Sequence, residues 1–258
     1  MRKAVFLVMT IIIVAALILP VLDINWSGGR ASDPLTSPES NTGTSLKDYT
    51  LPFDPIAPEM CTLESSYKED WDLIVCESFD DSTDLWEGNS TGTTVSLEDG
   101  AYVVDNTETA GRIDTSGYTL PILIGAADNA MMSVTGTMDC LEGECAWGVF
   151  MRSTLNEIVY VFMIDGAGNF TLTGLSTEEV SQDVGNIQSG SHPSILLDGE
   201  NTITGIAEGT QMMFYVNDQL LASHKANDAT NPAFGLIVWG GLGAKAVNRI
   251  ESVLARGN

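Results

Sequence analysis

Carboxylates are the most numerous side chains here with chemistry to offer: 35 Asp and Glu stand against 11 Lys and Arg, a net charge of −24. Hydrolysing a glycosidic bond takes two of them, held ~5–5.5 Å apart in a retaining enzyme. Alternate positions on one strand would supply that spacing, because successive side chains point to opposite faces. No such pair sits inside an apolar run. Asp80-Asp81, Glu178-Glu179 and Glu69-Asp70 are adjacent pairs, and solvated loop positions suit them better than a shared face. His224 follows Ser223, but nucleophile and base are recognised by geometry rather than adjacency. His192 lies in a Ser-Gly-Ser-His-Pro stretch, and both histidines read as surface residues. No His/Cys/Asp cluster has metal-ligand spacing. The sequence leans away from catalysis.

The same charge balance excludes partners. Non-specific binding to nucleic acid needs cations that displace counterions from phosphate. Anionic lipid headgroups are disfavoured for the same reason.

Four cysteines carry the remaining reactive chemistry. Cys61 and Cys76 are 15 apart, while Cys140 and Cys145 enclose Leu-Glu-Gly-Glu. An even count in an exported chain reads as two disulfides. The spacing favours Cys61–Cys76 and Cys140–Cys145, one of three pairings that four cysteines allow. Export itself is read from the N-terminus. Arg2 and Lys3 precede an uncharged run from Ala4 to Leu22, whose 19 residues would rise ~28 Å as a helix and span a bilayer core. The basic pair keeps the N-terminus inside and sends the rest out. Residues 1–26 therefore read as a membrane-anchoring helix; the alternative is a signal peptide cut before Ser32, where Gly29 and Ala31 offer small residues.

The elements that must position any site lie further on. Residues 27–60 are rich in Ser, Thr, Gly, Asn and Pro, with five of the 9 prolines. Such a stretch cannot offset its conformational entropy by burial, so it reads as a spacer with an r.m.s. reach of ~30 Å. Residues 61–258 read as one β-sandwich domain, with a short helix capped by Thr62 allowed over Cys61 to Trp71. Short β-like runs follow at 73–79, 93–97, 101–105, 130–138, 146–153, 158–164, 169–175, 201–208, 211–216, 234–239 and 247–254. Turn formers divide them, among them Glu-Asp-Gly at 98–100 and Val-Asn-Asp-Gln at 216–219. Many short strands at regular spacing predict an all-β, two-sheet antiparallel jelly-roll sandwich.

Several of these runs resemble a known group. Trp147-Gly-Val-Phe-Met-Arg152, a polar turn, then Ile158-Val-Tyr-Val-Phe-Met-Ile-Asp-Gly166 is similar to paired strands of concanavalin A-like jelly rolls, in particular laminin-G-like and 3-keto-disaccharide-hydrolase-type domains. Asn201-Thr-Ile-Thr-Gly-Ile-Ala-Glu-Gly209 with Met213-Phe-Tyr-Val-Asn-Asp-Gln-Leu-Leu221 resembles that group's Asn-Gly hairpin, with Asp218 in the glycine's place. Phe234-Gly-Leu-Ile-Val238 and the opening Phe79-Asp-Asp81 with Trp86 fit in order. The closing strand departs from the pattern: Asn248-Arg249-Ile250-Glu251 lacks the Asp found there.

The resemblance implies sites as well as a fold. Its glycan-cutting members carry Glu-x-Asp-x-x-Glu on one strand, which this chain lacks. It places Trp147, Arg152, Tyr160 and Trp239 near a concave sheet, where aromatic faces stack on sugar rings and Arg bonds hydroxyls. Arg152 and Tyr160 are the candidates for a wet face; core packing competes for Trp239. Jelly rolls of this kind often hold one calcium, for which Asp80, Asp81 and Asp99 are candidate oxygen ligands. The expectation is an exported, membrane-tethered binding module for carbohydrate or a surface protein. The alternatives are a glycan hydrolase or a self-associating subunit of a surface layer or appendage, in which exposed sheets pair edge to edge.

Overall fold

Fifteen strands build the domain in this computed structural model, which describes residues 61–63, 65–79, 88–90, 93–105, 117–153, 158–176, 185–226, 233–241 and 244–258. The expected anchor over 1–26 and spacer over 27–60 lie outside them, as do Asp80 and Asp81. In chain order the strands are β1 (Asp72–Glu77), β2 (Gly88–Ser90), β3 (Thr93–Glu98), β4 (Ala101–Asp105), β5 (Gly117–Ala126), β6 (Ala130–Glu142), β7 (Cys145–Ser153) and β8 (Ile158–Asp165). There follow β9 (Asn169–Ser176), β10 (Gly185–Ser191), β11 (Asn201–Glu208), β12 (Gln211–Val216), β13 (Gln219–Lys225), β14 (Ala233–Gly240) and β15 (Lys245–Gly257). All pairings are antiparallel. A nine-stranded sheet runs β13-β12-β11-β6-β15-β4-β3-β2, with β1 also on β15, and a six-stranded sheet runs β10-β9-β8-β7-β14-β5.

Local chemistry explains the connections. Asn217 and Asp218 both take left-handed backbone (φ 49 and 63) between β12 and β13, the signature of the two-residue hairpin turn whose twist matches its strands. Asp99-Gly100 does the same between β3 and β4. The Asp165 carboxylate accepts from the Ala167 and Asn169 amides at 2.9 and 2.8 Å, closing the β8–β9 turn.

Period-2 alternation then fills the space between the sheets. Trp147, Val149 and Met151 of β7 and Tyr160, Phe162 and Ile164 of β8 meet Ile203, Met212 and Phe214 from the opposite sheet. The Phe162 and Phe214 rings stack 5.0 Å apart across the core. At one margin the edge strands are laced together: Gln188 of β10 donates to the Leu221 carbonyl of β13 at 3.0 Å and accepts from the Ser223 amide at 3.4 Å. That occupies main-chain groups an edge would otherwise offer to another chain.

Four strands lie outside the runs that strand-like composition marks, although β13 continues the hairpin that the resemblance implies. β5 contains Pro121, which reads as a break, but the strand pairs only with β14 and its register shifts beside the proline; an edge strand tolerates the missing donor. The Gly/Ser composition of β10 reads as loop, β2 is three residues long, and β13 follows a tight turn without a periodic signal. The helix allowed after Thr62 does not form among the described residues. The described residues between Cys61 and Trp71 form a strap without regular secondary structure that ends in a turn at Lys68, where φ is 52 and the Trp71 amide donates to the Lys68 carbonyl. Its contacts with the sheet and its disulfide outweigh the cap.

Candidate functional site

β7 and β8 pass through the middle of the six-stranded sheet, so their alternation decides which candidates can meet a ligand. Trp147 is 1% exposed and Tyr160 5%, both inside the sandwich. This corrects the wet-face expectation for Tyr160, whose ring packs 5.2 Å from the His224 ring. Tyr160 is the third residue of β8, whose run from Val159 to Ile164 is buried on both faces, and the inward phase falls on the tyrosine. Trp239 is half-buried against the opposite, outward-facing cluster of Ala146, Phe150, Val159, Val161, Met163 and Ile237. Arg152 lies near the end of β7, and its side chain is outside the described residues. The structure thus does not gather Trp147, Tyr160 and Trp239 into one site. Asp99 is exposed in its hairpin turn, and no group of three His, Cys, Asp or Glu converges to hold a metal among the described residues.

Both expected disulfides are present. Cys61–Cys76 spans 5.8 Å between Cα atoms and Cys140–Cys145 spans 5.7 Å. The first clips the strap onto β1. The strap's Trp71, Leu63 and Tyr67 then pack on Met131, Ile206 and Leu254 of the outer face of the nine-stranded sheet. Lys68 leaves the strap to pair with Glu208 at 2.6 Å, with its ammonium 4.8 Å from the Trp71 ring centre.

Beside that apolar contact lies a cleft of about 470 Å³. Its floor is a set of hydroxyls on β6, β11 and β15: Ser133, Thr135, Thr202, Thr204 and Ser252. Ser133 and Thr204 are hydrogen-bonded at 2.7 Å, and Thr135 and Thr202 at 2.9 Å. The Tyr67 ring lies 4.9 Å from the Tyr215 ring, tilted by 43°. Burial, together with the Asp218 carboxylate that accepts its hydrogen bond, pushes the Tyr67 phenol up to about 12. None of these groups was singled out as a site residue in sequence. The signal was there, as hydroxyls at alternate positions in Ser133-Val-Thr135 and Thr202-Ile-Thr204.

The cleft rests on a rigid corner. The buried Asn201 amide accepts from the Leu196 amide at 2.9 Å and donates to the Leu196 carbonyl at 2.8 Å. Asn217 accepts from the Thr202 amide at 2.8 Å and donates to the Ser194 carbonyl at 2.7 Å and to Asn201 at 3.0 Å. The two asparagines of the resembling hairpin are thus structural: they fix the turn that carries Asp218 to the rim.

No protein-family model matches the chain, and no curated protein does. Solved structures do share its architecture. The laminarinase catalytic domain from Thermotoga petrophila superposes with a TM-score of 0.53 at 10% identity, over 73% of this chain and 98% of that one. The laminarinase catalytic domain from Thermotoga maritima gives 0.52 at 11%, over 74% and 99%. The GlcNAcα1-4Gal-releasing endo-β-galactosidase from Clostridium perfringens gives 0.56 at 9%, over 75% and 64%. At such identities the likeness is one of fold. The chain shares the two-sheet antiparallel jelly-roll fold of these proteins.

Proposed function

We propose that this chain is an exported, membrane-tethered, non-catalytic module that binds carbohydrate. One observation carries the non-catalytic part. The six strands of the smaller sheet contain a single carboxylate, Asp165, at the end of β8. Two amides and the Asn169 side chain already engage it. The outward face of β7 and β8 bears Ala146, Phe150, Val159, Val161 and Met163, where a glycosidase would need two opposed carboxyls. Carbohydrate as ligand is supported by the glycan-active proteins that share the fold. Two disulfides suit an oxidising compartment, and the run from Ala4 to Leu22 supplies the tether.

A glycan array probed with and without calcium tests the reading, and the calcium arm tests Asp80, Asp81 and Asp99 as ligands. Retained glycan without release of reducing sugar is the expected result. Release of reducing sugar that is lost on carboxylate substitution would establish a hydrolase instead. Full-length protein is expected to sediment with membranes and keep Met1 or Arg2; a soluble species beginning near Ser32 would identify a cleaved signal.

A further inference from the structure

Three neighbouring strands change character at one level on the outer face of the nine-stranded sheet. β6 presents Met131 and then Ser133 and Thr135, while β11 presents Ile206 and then Thr204 and Thr202. Register sets Thr204 beside Ser133 and Thr202 beside Thr135, with Ser252 of β15 on the other side of Thr135. Over the apolar level the strap packs down onto the sheet. Over the hydroxyl level it stands off, and the space left is about 470 Å³, inside the range of roughly 300–1,000 Å³ typical of small-molecule sites. A segment whose only task was to cover the sheet would meet apolar side chains at both levels.

The lining selects the ligand. Asp218 is the one charged group among the described lining residues, and no cation stands there. An anionic ligand would find no cation among the described lining residues and would meet a chain of net charge −24. A neutral polyhydroxylated molecule matches the lining in kind. Serine and threonine hydroxyls donate and accept, a carboxylate accepts strongly from a hydroxyl, and the Tyr67–Tyr215 pair offers an aromatic face beside them. We infer that this cleft binds a short neutral saccharide, walled by Leu63, Ser65, Ser66 and Tyr67 of the strap, and that the module's ligand site is here rather than on the six-stranded sheet. The inference rests on the carbohydrate-binding reading above.

The test measures binding to a panel of neutral oligosaccharides for the wild type, the double variant Thr202→Val/Thr204→Val, Tyr67→Phe and Arg152→Ala, with thermal midpoints alongside. Valine keeps the shape and strand preference of threonine while removing its hydroxyl. The double variant is expected to weaken binding about tenfold or more, and Tyr67→Phe about two- to tenfold. Should the double variant fail to fold, Tyr67→Phe keeps the ring and carries the test alone. Wild-type binding that both cleft variants retain in full would overturn the site while leaving the carbohydrate reading intact, and loss in Arg152→Ala alone would move the site to the other sheet. A wild type that binds no neutral saccharide in the panel would overturn the reading and the site together.

Discussion

Single side chains in this domain do work that their types alone do not disclose. Asn217 spans a turn, a strand end and the loop before β11 through three side-chain bonds, and its own backbone is left-handed at φ 49. Asn217→Ala should lose about 2–3 kcal/mol, combining unpaired buried partners with the strain of alanine at positive φ. Asn217→Gly should recover only the backbone share, so thermal midpoints in the order wild type, Gly, Ala would separate the two causes. Tyr67 makes a second prediction, through pH. An unfolded tyrosine ionises near 10.0, whereas Tyr67 holds its proton to about 12, chiefly through burial and then through the Asp218 carboxylate. As pH rises the unfolded chain therefore gives up that proton first. The stability Tyr67 contributes is complete below pH 10 and drains away as the pH climbs through 12. Burial pushes the Tyr102 phenol up as well, so the difference between wild type and Tyr67→Phe isolates the cleft residue. The wild-type midpoint should fall more steeply than that of Tyr67→Phe above pH 10, and parallel curves would remove Tyr67 from the account.

At the scale of elements, the two disulfides have unequal tasks. Cys61–Cys76 closes a 15-residue separation and Cys140–Cys145 one of 5, worth about 3 and about 2 kcal/mol on chain-entropy grounds. The larger difference is functional. Cys61→Ser/Cys76→Ser should release the strap, returning Tyr67 towards ordinary phenol titration and removing the cleft wall, while the sandwich stays folded. Cys140→Ser/Cys145→Ser should leave the Tyr67 titration unchanged, and absorbance of phenolate against pH reads both. Much of this layout was legible in sequence. The pairing of the cysteines, the boundaries of β4, β11 and β12, and the Asp-Gly turn followed from spacing and turn chemistry. What escaped was decided by neighbours. Pro121 is compatible with β5 only because that strand is an edge. The glycines and serines of β10 become a strand because β9 and Gln188 hold them there. Tyr160 looked like a stacking residue because a strand buried on both faces gives no sign of which face is wet. The hydroxyls of the cleft are ordinary strand threonines and serines until register sets them side by side beneath a strap whose path the sequence left open.

Over the whole molecule, charge is the dominant unbalanced term. The chain carries −24, and the ion pairs among the described residues include Lys68–Glu208, Lys245–Glu142 and the longer Arg249–Glu251 contact at 3.8 Å. Each involves partly exposed side chains, and exposed pairs of this kind contribute roughly 0–1 kcal/mol. Attraction on that scale cannot offset the repulsion among the remaining carboxylates, which grows as the chain compacts. Salt should therefore stabilise the fold. The screening length falls from about 30 Å at 0.01 M to about 10 Å at 0.1 M, so repulsion across the sandwich is suppressed over that interval while the close ion pairs lose less. The thermal midpoint is expected to rise between 0.01 and 0.1 M sodium chloride and then to flatten. A midpoint that falls with salt would mean the few ion pairs outweigh the net charge. Binding of a neutral saccharide should not follow the same curve, because neither the ligand nor the hydroxyl floor carries charge. An affinity that tracked ionic strength would point instead to a charged ligand, and with it to a surface other than the cleft.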